Sequence, residues 1–211
     1  RLGATVILHG RDTAKLEAVY DEIVAAKFPQ PAIIPLNLIN ATPEQFKSLA
    51  ATIESELGRL DGILHNASML NELSPIEFTG DEAWQQIMQV NINAVFMLTK
   101  ACMPLLRNSP SASIIMTSSS VGKQGRAFWG PYAVSKFATE GLVQVLADEL
   151  DGSTIRVNAI NPGATRTKMR AKAFPAEDKY SLKTPEQIAP LYLYLMGNDS
   201  KDIHGQSLNA Q

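Results

Sequence analysis

Ser113-Ile114-Ile115-Met116-Thr117 is a short apolar run, and the polar, turn-forming stretch Ser118-Ser119-Ser120-Val121-Gly122 follows it. Downstream, Tyr132 to Leu150 reads as a helix and Ile155 to Ile160 as a further buried strand. Two apolar strands joined by a crossover of helical length are the signature of a parallel pair covered on both faces.

The same alternation extends outward in both directions. Ala4 to His9, between Gly3 and Gly10, predicts a strand. Asp12 is a suitable N-cap, and Leu16, Val19, Ile23 and Val24 recur at helical spacing, which predicts a helix to about Lys27. Pro29 and Pro31 end it, and Ala32 to Leu36 is the next strand. Thr42-Pro43-Glu44 opens a helix with Phe46, Leu49, Ile53 and Leu57 on one face, closed by Gly58. Leu60 to His65 is a third strand, and a long helix runs from about Asp81 to Leu106. Thr184-Pro185-Glu186 opens a last helix reaching Met196, and Gln206 to Leu208 is a weak sixth strand. The polar stretch from Lys168 to Lys183 is expected to be a loop or short helices. Strands alternating with helices give an α/β class with a doubly wound parallel sheet and right-handed crossovers.

The 211 residues suit a single domain, 1–211, with a sizeable core. With 45% hydrophobic and 19% charged residues, the composition is that of a globular protein. A net charge of −2 gives no electrostatic basis for binding nucleic acid or an anionic membrane surface. No apolar run reaches the roughly 20 residues of a membrane span. The one cysteine, Cys102, rules out an intrachain disulfide framework and suits a reducing, cytoplasmic setting. His9, His65 and His204 show no metal-ligand spacing.

Ligands of open parallel sheets bind outside the carboxyl ends of the strands. The polar residues there are His65-Asn66-Ala67-Ser68, Thr117 to Gly122, and Asn161-Pro162-Gly163-Ala164-Thr165-Arg166-Thr167. Tyr132 and Lys136, four apart, share a helix face. A tyrosine near its ordinary pKa of ~10 must come down by roughly 3 units, about 4 kcal/mol, to exchange protons readily at neutral pH. A cation about 4 Å away at an effective dielectric near 20 supplies on the order of 4 kcal/mol. Lys136 is therefore expected to lower the pKa of Tyr132.

In type, order and spacing these elements resemble the motifs of the short-chain dehydrogenase/reductase family, over essentially the whole chain, with bacterial members nearest. The resemblance implies a Rossmann-type fold and hydride transfer between a nicotinamide cofactor and a carbonyl or alcohol carbon. It implies Tyr132 as general acid/base, Lys136 on the nicotinamide ribose, and Ser119 orienting the substrate oxygen. It implies that Asn91 holds a water in a proton relay toward Lys136. Asn66, Ala67 and Ser68 correspond to the turn that lines the cofactor, with Ser68 in place of the usual glycine. Pro162, Gly163, Thr165 and Thr167 fall beside the nicotinamide. His65 reads as a packing residue. Asn37 and Leu38 stand where the family usually has an aspartate near adenine.

Members that bind NAD(H) usually carry an acid at the end of the strand that here closes on Gly10. Arg11 follows instead, and a guanidinium can clamp a 2′-phosphate, so NADP(H) is favoured over NAD(H). The family's first strand, Gly-rich turn and following helix have no counterpart in these residues. Roughly 30 to 40 further residues, the size of a βα unit, are therefore expected to precede Arg1. Phe128 and Trp129 suit the wall of an apolar pocket. The basic group Arg166, Lys168, Arg170 and Lys172 reads as a solvated face, with an anionic substrate as the other option. The two long helices, with Phe96, Met97, Val143 and Val145 facing outward, are expected to form a homodimer or homotetramer. The rival reading is a non-catalytic NADP(H)-binding regulatory protein on the same fold.

Overall fold

The computed structural model describes residues 2–211. Strand β1 (Ile7–Gly10) leads into α1 (Thr13–Ala25), β2 (Ala32–Pro35), α2 (Pro43–Leu57) and β3 (Gly62–His65). Then come α3 (Asp81–Met88), a π-helical turn at Gln89–Asn93, and α4 (Ala94–Arg107). The chain continues through β4 (Ala112–Thr117), α5 (Gly130–Glu149), β5 (Ile155–Asn161), α6 (Lys168–Ala173), α7 (Pro185–Met196) and β6 (Ser207–Asn209). All strand pairs are parallel, in a four-stranded order β3-β4-β5-β6 and a separate β1-β2 pair.

Local chemistry sets the helix ends. Asp12 accepts from the Lys15 backbone N–H, and Thr42 and Gln45 form a reciprocal capping box ahead of Pro43. Gly58 ends α2 at φ 72°. Strand β1 begins later than the apolar run does. Its partner β2 starts at Ala32, opposite Ile7, so Ala4 and Thr5 have no ladder to join. The expected helical stretch from Asp81 to Leu106 is one continuous helical run with the π turn inserted between α3 and α4. The polar stretch after β5 holds α6 and a 3₁₀ turn at Lys179–Ser181.

The central strand β4 shows the two layers directly. Ile114 and Met116 pack with Ile53, Val95, Leu105 and Val143 of α2, α4 and α5. Ile115 points the other way, onto Leu195 and Leu191 of α7. Alternate residues of one strand thus bury into opposite helical layers, as period-two geometry requires. Val143, expected to face outward, is 1% exposed and belongs to this core. Met97 is half-buried against Phe46 and Ala94. Phe96 and Val145 do face solvent.

His65, at the end of β3, bonds Thr99 Oγ1 through Nε2 at 2.8 Å. Burial, helped slightly by the charge of His9, pushes its pKa down from 6.5 to about 4, so it packs as a neutral ring. Because the folded value is the lower one, the unfolded chain binds the extra proton between pH 6.5 and about 4. Stability from this site is complete above that window and falls by up to ~3 kcal/mol as pH drops through it. Urea titrations across that range are expected to show this slope in the wild type and a flatter one in His65→Asn.

Candidate active site

The carboxyl ends of β3, β4 and β5 open onto a cleft of about 830 Å³. Asn66, Ser68, Ser119, Tyr132, Lys136, Pro162, Gly163, Thr165 and Thr167 line it together. Its volume lies within the range of small-molecule and cofactor sites. Ala67, Asn91, Arg11, Asn37 and Leu38 are not part of its lining.

Ser119 ends the extended segment after β4, and Gly122 N–H donates to its carbonyl at 2.9 Å. That turn lies directly on α5. A Cβ at Gly122 would come within 2.8 Å of the Lys136 carbonyl oxygen, a backbone atom that cannot swing aside. The glycine is what lets the serine turn and the Tyr132–Lys136 face of the helix meet. On the floor, Ser118 Oγ donates to the buried Glu140, which also accepts from Ser207 Oγ at 2.9 Å.

Lys136 is 3% exposed, donates to the Thr117 carbonyl at 2.7 Å and lies 5.4 Å from the Tyr132 ring centre. Burial lowers its pKa from 10.5 to about 8. Tyr132 does not follow the simple expectation. Burial raises its pKa, and the groups that oppose this are the hydroxyls of Ser119 and Ser68, not the lysine. The ammonium donates to the Thr117 carbonyl. Ser68 Oγ is buried and, although it favours the phenolate, makes no hydrogen bond of good geometry.

Asn91 is hydrogen-bonded through its whole side-chain amide. Its Oδ1 accepts from the Met69 N–H at 2.7 Å, and its Nδ2 donates to the Met69 carbonyl and to Ser135 Oγ, each at 3.0 Å. Both amide protons are engaged in tying the loop after β3 to α5, so the side chain acts as a clamp. The π turn that carries it aims it inward, and such widened turns concentrate at functional sites. Gln89, in the same turn, donates to the carbonyls of Leu38 and Ala41, fixing the loop after β2. Asn37 closes a local turn onto the Ile39 N–H.

After β5, Asn161 Oδ1 accepts from the Gly163 N–H at 3.1 Å. Gly163 has φ 70°, a backbone conformation that favours glycine, whereas the Gln211 side chain that a Cβ there would meet is exposed and free to move. Thr165 Oγ1 bonds back to the carbonyls of Pro162 and Gly163. Over the cleft, Trp129 stacks between Tyr132 and Phe174, with ring centres 5.7 and 5.9 Å away. Arg170 lies 3.9 Å above Phe174 and is paired twice with Glu177, at 2.6 and 2.5 Å. Arg166 donates to the carbonyls of Lys179 and Leu182. Two of the four basic residues after β5 are thus tied into the roof, which weakens the option of an anionic substrate. Arg11 is exposed and takes part in no ion pair among the described residues, since neighbouring Asp12 is bound to Lys15. No cluster of metal-ligating side chains occurs among the described residues, and no helix is long and apolar enough to cross a membrane.

The partners of these side chains were the part hidden in the sequence. Every residue offers a carbonyl, so nothing marks Thr117 as the acceptor for Lys136. Ser135 and Glu140 lie at the i+3 and i+8 positions from Tyr132, on the buried side of α5. Their helical phase was the one available signal.

A family model described as short chain dehydrogenase matches residues 1–178. The chain is 53% identical over 211 residues to the uncharacterized oxidoreductase YciK of Escherichia coli (strain K12), covering 100% of this chain and 83% of that protein. A short chain dehydrogenase structure from Pseudomonas syringae matches at 59% identity and a TM-score of 0.97, covering 99% of this chain and 85% of that one. One from Shigella flexneri 2a str. 301, complexed with NADP, matches at 53% identity and 0.96, covering 99% and 87%. The chain therefore belongs to the short-chain dehydrogenase family and is an oxidoreductase of that family.

Gly122→Ala is expected to cost about 2 kcal/mol through backbone overpacking against Lys136. Chemical denaturation measures this, and unchanged stability would show that the turn and helix do not meet as described.

Proposed function

We propose that the protein is a cytoplasmic NADP(H)-dependent reductase of carbonyl compounds, with Tyr132 as the proton donor. The observation that carries this reading is the convergence of Ser119, Tyr132 and Lys136 in one cleft at the strand ends. Lys136, Thr165 and the Asn161–Gly163 turn, with Asn66 and Ser68 opposite, are arranged to hold a nicotinamide and its ribose. Arg11 is free to clamp a 2′-phosphate, and Asn37 and Leu38 would lie near the adenine. The NADP complex of the Shigella flexneri relative supports this choice of cofactor.

When bound, the cofactor supplies a hydride for the carbonyl carbon. The carbonyl π pair moves onto the oxygen, which takes the proton of Tyr132 Oη and leaves as an alcohol. The Ser119 and Ser68 hydroxyls oppose the rise that burial imposes on the Tyr132 pKa, and so ease release of its proton to the substrate oxygen. Ser119 orients the oxygen and stabilises charge developing on it. Lys136 holds the ribose with its charge, and Asn91 positions the loop that carries Ser68. Exposed Phe96 on α4 and Val134, Phe137 and Val145 on α5 supply an apolar face for a homodimer or homotetramer.

Fluorescence titration tests the cofactor. Arg11→Ala is expected to weaken NADPH binding roughly thirtyfold, the value of a charge-assisted contact of about 2 kcal/mol, and to leave NADH binding unchanged. Equal loss of both would remove Arg11 from the phosphate site. NADPH binding should also weaken as pH rises through about 8, where Lys136 loses its charge, and Lys136→Met should abolish that step. Tyr132→Phe should retain NADPH binding and lose carbonyl reduction.

A further inference from the structure

A second cleft, of about 350 Å³, opens beside the first. The two share Leu70, Trp129 and Tyr132, so they adjoin at the indole and the phenol. Beyond that shared wall the second cleft is lined by Leu73, Phe78, Ile87 and Phe128, with the polar Asn71 and Ser74 beside them. Thr79 also lines it, but its hydroxyl donates to the Pro75 carbonyl. The charges bordering it, Glu72 and Lys172, are of opposite sign and give no preference for an ionic ligand.

Two backbone features mark this cleft. Phe128 has φ 74°, a conformation that bulky L-residues avoid, and remains 56% exposed. The Ser74 N–H, donating to the Phe128 carbonyl at 3.1 Å, helps hold it there. Strain of this kind persists only where the surroundings impose it, and it collects at ligand clamps. Gly80 has φ −66°, which any residue adopts, and a Cβ there would meet nothing within 4 Å. The glycine is not needed for the turn, and it lines the cleft with open space at its Cβ position. Ile76 and Phe78, 63% and 73% exposed, complete an apolar rim. Apolar surface continuous with a reactive centre marks a binding site for an apolar ligand group.

We propose that the second cleft receives the unbranched alkyl tail of the carbonyl substrate, whose reacting carbon lies at Ser119 and Tyr132. This inference rests on the reading of Tyr132 as the proton donor to that substrate. The tail passes Trp129, and the aromatic roof of Trp129 and Phe174 closes over the reacting end.

The test pairs a binding measurement with a kinetic one. Calorimetry with decanol and butanol needs no turnover, and reduction of decanal and butanal by NADPH reads the chemistry. Wild type is expected to bind decanol, and to reduce decanal by kcat/KM, at least ~tenfold better than the short analogues, a modest share of what several buried methylenes supply. Gly80→Phe, which fills the cleft without backbone strain, should erase that preference and leave butanal reduction unchanged. Equal handling of long and short compounds by wild type would overturn the tail site while leaving the reductase reading intact. Decanol binding that is lost in Gly80→Phe, with no aldehyde reduced, would keep the apolar site and remove the reductase reading with the substrate assignment. A changed oligomeric state of Gly80→Phe on size exclusion, with chain-length preference unmoved, would assign the patch to a second copy of the chain and overturn the proposal.

Discussion

The centre of the molecule depends on one steric fact: at Gly122 the serine turn lies on α5 at a distance no side chain permits. The contact is backbone against backbone, so neither partner can yield by changing a rotamer. It fixes the separation of β4's end from the helix carrying Tyr132 and Lys136. Lys136 can then reach the Thr117 carbonyl, and the Ser119 and Ser68 hydroxyls can act on the phenol. The electrostatics of the cleft follow from this packing. A lysine confined among backbone and apolar groups loses part of its hold on its proton, while the adjacent phenol tightens its own.

A second constraint works at longer range. Asn91 gathers Met69 and Ser135, and Gln89 gathers Leu38 and Ala41, so one widened turn ties together the loops after β2 and β3 and the start of α5. The Asn91 amide is buried and fully satisfied, as buried amides require, and the longer Gln89 bonds are only partly buried. The roof is held differently. Arg170, its pair Glu177 and the stacked Phe174 and Trp129 form a partly exposed assembly, whose ion pair screens with salt far more than the buried bonds below it.

Much of the fold was legible because buried parallel strands read as apolar runs and because caps such as Asp12, Thr42 and Gly58 have distinctive chemistry. Strand limits were less so, since β1 begins where β2 offers a partner and hydrophobicity alone carries no such information. Ser119, Tyr132 and Lys136 were legible from their order at strand and helix ends. Spacing placed Lys136 beside Tyr132 but carried no sign that its ammonium donates to a strand carbonyl. Val143 was misplaced for a related reason: its helix has two apolar sides, and only packing shows which one meets the sheet.

The π turn between α3 and α4 did leave a trace. Ile87, Asn91, Val95 and Thr99 are all buried, at three successive steps of four residues. In a regular α-helix, at 3.6 residues per turn, Thr99 would lie about 120° around the axis from Ile87. The π turn absorbs that phase error as a single inserted residue, without looping it out. Thr99 is thereby returned to the inner face, where it meets the ring of His65. The insertion that aims Asn91 at Met69 and Ser135 thus also sets the rotational phase of α4 against β3, so its loss would act on the core and on the loop after β3 at once.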